Sequence, residues 1–159
     1  MEPKIIEKGP IRLAGVVAQA APDQVDFEAV WENGFQKHLA QIRPYSVDKA
    51  FYGAWFNTSA GWITDDEKGR MEYLVGMAVE DLPASPGGEV VVRDIPPAKY
   101  AVFACKAGTV SQTYGQVLLH WLPTSGYEYD HSAADFELYP RKSSRGSAPA
   151  FVYVPIKDR

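Results

Sequence analysis

The stretch "DFELYP" at 135–140 puts two carboxylates and a phenol at alternate positions of what reads as a short strand. Side chains alternate faces along a strand, so Asp135, Glu137 and Tyr139 share one face while Phe136 and Leu138 share the other. If the acidic face meets water, Glu137 is an ordinary surface acid or pairs with a neighbour such as Arg141. If that face is covered, Glu137 is a buried charge, which either keeps its proton or receives a cation. The second case offers two kinds of chemistry: recognition of an organic cation, or general-base work by a carboxyl whose pKa is raised by an apolar site.

Aromatic side chains supply the matching partner, because the face of a ring attracts a cation. Tyr139 lies about 7 Å from Glu137 along the strand and is placed to stack on a flat ligand or to hydrogen-bond the acid. Tyr73, Trp55, Phe103 and Trp121 are further candidates, each of which core packing explains equally well. Trp62, beside Gly61, is read either as a cover over a pocket or as a plug at the end of the sheet. The chain holds nine Tyr, seven Phe and four Trp, enough for both a core and an aromatic pocket.

Other chemistries find no support in the pattern. His38, His120 and His131 fall on two helices and a loop, without metal-ligand spacing, so no metal site is expected. Cys105 sits among apolar strand residues and reads as a small core residue; a single cysteine also allows no intrachain disulfide. No phosphate-cradling glycine loop and no GxSxG elbow occurs, and Gly87–Gly88 reads as a turn. No cofactor is expected.

The elements that must carry these residues follow from periodicity. "IRLAGVVAQA" (11–20) alternates as a strand. After the break at Pro22–Asp23, Phe27, Val30, Trp31, Phe35, Leu39 and Ile42 fall at helical spacing, predicting a helix over 26–42 that Pro44 closes. "AFYGAWFN" (50–57) and "RMEYLVGMAVE" (70–80) read as strands, which makes the first half β-α-β-β. Beyond "PASPGG", "EVVVRDIP" (89–96) and "KYAVFACKA" (99–107) are strands. Thr109 and Gln112 form an expected capping box before a helix over 110–122, whose apolar face is Val110, Tyr114, Val117, Leu118, Trp121 and Leu122. "DFELYP" and "AFVYVPIK" (150–157) complete a second β-α-β-β, and "PRKSSRG" (140–146) reads as a solvated hairpin loop.

The expected architecture is therefore α+β within a single domain, 1–159. Two pseudo-repeats, 11–80 and 99–157, share one antiparallel sheet with two helices and a cleft between the halves. The chain has 159 residues and a formal charge of −4. An acidic balance with scattered Lys and Arg argues against nucleic acid. No apolar stretch is long enough for a bilayer, so no membrane partner and a cytoplasmic location are expected.

With this order of pieces the chain resembles the GyrI-like, or AraC-type, effector-binding domains. The pieces are "YLVGMAVE", "IPPAKYAVFACKAG", "HWLPTSGYEY", "DFELYP" and "FVYVPIK", spread over residues 4–157. The resemblance implies a duplicated strand-helix-strand-strand module that binds small molecules, often lipophilic aromatic cations. It also implies that the acid of the F-E-x-Y strand, here Glu137, faces the ligand cavity with Tyr139 nearby. Nothing is left over for the helix-turn-helix to which such domains are frequently fused. Three functions are consistent with the resemblance: binding or sequestration of a drug or effector, hydrolysis of a strained electrophilic natural product by Glu137 and Tyr139, and modulation of a protein partner such as gyrase.

Overall fold

The computed structural model describes residues 2–20, 26–27, 29–56, 71–82, 88–140 and 147–159. Trp62, Gly87 and the core of the basic run at 141–146 lie outside them. Nine strands form one antiparallel sheet: β1 Lys4–Lys8, β2 Ile11–Ala20, β3 Phe51–Phe56, β4 Met71–Ala78, β5 Val91–Ile95, β6 Ala98–Lys106, β7 Tyr127–Tyr129, β8 Asp135–Tyr139 and β9 Pro149–Asp158. Their order is β1-β6-β9-β8-β3-β4-β2-β5, with β7 pairing β9 beside β8. Outward from the central β8–β3 pair, each half presents its strands in the same succession, so the α+β architecture expected from the sequence holds.

Two strands were not anticipated. The short, charged "KIIEK" of β1 pairs with β6, and β7 is only three residues long. The shift of β1 reflects a crossing. It leads into β2 yet pairs with β6, while β5 leads into β6 yet pairs with β2. Gly9–Pro10 links Lys8 to Ile11, and Pro96–Pro97 links Ile95 to Ala98. Three Cα–Cα steps span at most about 11 Å. Both ends of the sheet are therefore drawn to one corner, and the sheet curls on itself. Proline lacks an N–H, so neither link extends a ladder.

Curling gives the sheet two buried faces. The inner face holds Leu13, Tyr52, Ala54, Leu74, Ile95, Tyr100 and Phe136. The outer face holds Val16, Tyr73, Val75, Phe103, Val152 and Val154, and the helical segments cover it. Strand alternation sends Phe136 inward and Asp135, Glu137 and Tyr139 outward, beneath the helices.

The first helical segment starts where the Asp26 carboxylate accepts the Ala29 N–H at 3.0 Å, an N-cap contact. It then passes through a wide π turn at Ala29–Gly34, a 3-10 turn at Phe35–His38, α1 at Leu39–Ile42 and a 3-10 turn at Arg43–Tyr45. Trp31, Phe35, Leu39 and Ile42 are buried as their spacing predicts. Pro44 does not close the segment from outside; it sits early in the last turn, where a missing N–H costs little. The second segment runs through Ala107–Thr109, α2 at Val110–Gln116, a π turn at Val117–Trp121 and Leu122–Thr124. The expected Thr109–Gln112 box is replaced: the Thr109 hydroxyl accepts the Lys106 N–H at 3.2 Å and donates to the Lys106 carbonyl at 3.0 Å. Among the described residues, no helix is long and apolar enough to cross a membrane.

Candidate functional site

Glu137 occupies the middle of β8, opposite Gly53 on β3 and Val152 on β9. It is 3% exposed. The face that carries it is covered, so it is not a surface acid. Gly53 makes the arrangement possible. A Cβ there would collide with both the Tyr73 hydroxyl and the Glu137 carboxylate. Without one, side chains from β4 and β8 meet over the intervening strand.

At that meeting the Tyr73 hydroxyl donates to Glu137 Oε1 at 2.5 Å. The Tyr114 hydroxyl, from α2, donates to Oε2 at 3.2 Å. Trp31 Nε1, from the first helical segment, donates to the Tyr73 oxygen at 3.2 Å. Both helical segments and both central strand pairs thus converge on one carboxyl. Trp31 and Tyr73 come from the first half of the chain; Tyr114, Glu137 and Tyr139 come from the second.

Burial pushes the Glu137 carboxyl up to about 8; the hydroxyls of Tyr73, Tyr114 and Tyr139 pull it partly back, and nearby Asp135 pushes it further up. The phenols of Tyr73, Tyr114 and Tyr139 are raised by burial first and by Glu137 next, so they remain donors. Among the described residues the buried polar and charged side chains are Thr113, Asp135 and Glu137, none of them basic. Near neutral pH the acid therefore holds a proton that an arriving cation can replace.

A cavity of about 290 Å³ opens on this group. Glu137, Tyr139, Tyr73, Trp31 and Phe27 form its acidic and aromatic side, Glu32 stands at it, and Ala107, Gly108, Val110 and Ser111 form the other side. Trp31 meets Tyr139 edge-on with centroids 5.2 Å apart, and Phe27 meets Tyr73 edge-on at 5.1 Å.

Of the residues singled out from the sequence, Glu137, Tyr139 and Tyr73 are brought together at the cavity. The other three are not among its described lining. Trp55 is buried behind it, tilted against Tyr73 at 4.5 Å and edge-on to Phe27 at 5.9 Å. Phe103 packs edge-on against Trp121 at 5.2 Å, and Trp121 stacks on Tyr127 at 6.3 Å, so these two belong to the core between sheet and second helix. Cys105 is half-buried, its thiol raised by burial. Among the described residues no group of His, Cys, Asp and Glu is placed to hold a metal.

Trp31, Phe27, Tyr114 and Gly53 were not singled out as site residues. Trp31, Phe27 and Tyr114 lie on apolar helical stripes, where aromatics normally mean core. The available signal was Gly53, because a glycine inside a strand marks a close approach.

The family described as Cass2, integron-associated effector binding protein, matches residues 4–156. The chain belongs to this family. Among solved structures, SAV2435 bound to tetraphenylphosphonium is similar with a TM-score of 0.74 and 16% identity, over 99% of this chain and 94% of that one. The integron cassette protein VCH_CASS2 from the mobile metagenome of Vibrio cholerae matches with a TM-score of 0.63 and 16% identity, over 99% and 97%. The C-terminal domain of EcmrR matches with a TM-score of 0.64 and 12% identity, over 99% and 98%. Among curated proteins, none matches the sequence. At these identities the likeness to solved structures establishes the fold, and it agrees with the effector-binding resemblance read from the sequence.

Proposed function

We propose that this protein binds a lipophilic aromatic cation, with Glu137 as the charge partner and Trp31, Phe27, Tyr73 and Tyr139 as the ring wall. The observation that carries this reading is a carboxyl buried at an aromatic cavity, hydrogen-bonded by phenols and with no buried basic residue among the described residues. Leaving a carboxylate in such a place costs several kcal/mol. A cation arriving without tightly held water offsets that cost, and the ring faces add roughly 0.5–2 kcal/mol each. The family's description as effector binding, and the tetraphenylphosphonium held by SAV2435, support the same reading. Such binding needs no attacking group and no positioned water, so holding the molecule is function enough.

The test uses two ions of nearly one shape and opposite charge. Tetraphenylphosphonium should quench the fluorescence of Trp31 on titration, and tetraphenylborate should bind far more weakly. Glu137→Gln should weaken the cation by about 1–3 kcal/mol. Equal binding of both ions, or a Glu137→Gln variant that holds the cation as well as the parent, would overturn the proposal.

A further inference from the structure

One strand step from Glu137 stands a second acid that the reading above leaves unused. Asp135 is 1% exposed, and neither carboxylate oxygen has a hydrogen-bond partner among the described residues. It sits opposite Trp55 in the β3–β8 register, on the same face as Glu137 and Tyr139. Tyr139 and Glu137 line the cavity, and Asp135 continues their row inward. The ionisable groups around it are Glu137 on its own strand, Tyr114 on α2, Tyr129 on β7 and Tyr100 on β6. None of them is a cation.

Two buried acids in a row repel one another when both ionise, and a single positive charge satisfies only one of them. We propose that Asp135 is a second charge-recognition point of the same site, so that the protein takes flat aromatic dications whose positive centres lie about 7 Å apart, the separation of strand positions i and i+2. This rests on the cation-binding reading above. Glu137 takes the first centre at the cavity and Asp135 the second, further in. Tyr114 neighbours both acids, and its 3.2 Å hydrogen bond to Glu137 is the contact that the second centre displaces. The bonding balances without any co-reactant: each carboxyl releases its proton to solvent as a positive centre replaces it. Burial holds Asp135 up at about 7, with the Tyr129 hydroxyl pulling it partly back, so this second proton is present to be released below neutral pH.

The test compares 1,1′-dimethyl-4,4′-bipyridinium with 1-methyl-4-phenylpyridinium, the same two-ring frame with one charge fewer. The dication should bind about tenfold more tightly, the effect of one charge-assisted contact. Asp135→Asn should erase that advantage and leave the monocation within about twofold. Calorimetry of the parent protein at pH 6.5, in buffers of differing ionisation enthalpy, should show one more proton released by the dication. This measurement stands even if Asp135→Asn fails to fold. Equal affinities, equal proton counts, or loss of both ligands together in a folded Asp135→Asn would overturn the inference. If the monocation still binds through Glu137 in those cases, the cation-binding reading survives alone; if neither ion binds the parent, both fall.

Discussion

The hydroxyl of Tyr73 and the carboxyl of Glu137 lie 2.5 Å apart, on strands that are not neighbours. They bridge β3 at Gly53, the one place where that strand offers no side chain to keep them apart. The contact ties the first half of the chain to the second and fixes the acid at the cavity.

Tyr73→Phe removes a donor to Glu137 and the acceptor of the Trp31 indole N–H. The variant should lose about 1–2 kcal/mol in a denaturant melt. Because the phenol favours the ionised acid, its loss should move the midpoint of pH-dependent cation binding to higher pH. Tyr114→Phe, at the longer 3.2 Å contact, should move it less. An unchanged midpoint in both variants would show that the phenols do not tune the acid.

Gly53→Ala should be worse than either. The added methyl meets both the phenol and the carboxyl, so one must shift. Overpacking of this kind costs typically about 1–3 kcal/mol, and tetraphenylphosphonium affinity should fall even where the variant stays folded. Retained affinity and an unchanged melt would mean that β3 can yield there.

Cation binding should follow the ionisation of Glu137, held near 8. Below that pH each cation must expel a proton, so affinity should fall by up to about tenfold per pH unit and level off above it. Titrations of tetraphenylphosphonium from pH 6 to 9 read the slope directly. A flat profile in the parent would detach the cation from the acid.

Stability should run the other way. The folded state keeps a proton on Glu137 between the ordinary value of 4.5 and about 8, and on Asp135 between 3.8 and about 7, where the unfolded chain has lost it. Stabilisation from these raised carboxyls is complete below the unfolded values. It is lost as pH rises, by up to about 1.4 kcal/mol per unit for each group. Glu137→Gln should therefore melt at higher temperature than the parent at pH 8 and show a shallower decline. A variant that parallels the parent across this range would place the titration elsewhere.

Much of this site is legible in the sequence, and what is not has a physical cause. Alternation in "DFELYP" is enough to put Glu137 and Tyr139 on one face. Whether that face is covered depends on helices 20 to 100 residues away, which local pattern does not contain. Tyr73 could be chosen because its strand is clear, yet Phe103 and Trp121 look equally good, since an aromatic on a buried face carries no mark of which cavity it borders. Tyr114 and Trp31 are hidden by their own periodicity: the stripe that makes them core also aims a hydroxyl and an indole N–H at the acid. β1 was missed because "KIIEK" owes its pairing to β6, almost a hundred residues downstream.

The crossing of β1 and β5 has a mechanical result. Each half lends its leading strand to the other, so the halves are laced together at both outer edges as well as joined at β8–β3. Prising them apart like a hinged shell would tear the β1–β6 or β2–β5 ladder before the cavity widened. A guest must therefore be admitted by the roof, through the loosely wound π and 3-10 turns that carry Trp31 and Trp121, while the sheet beneath stays a fixed floor.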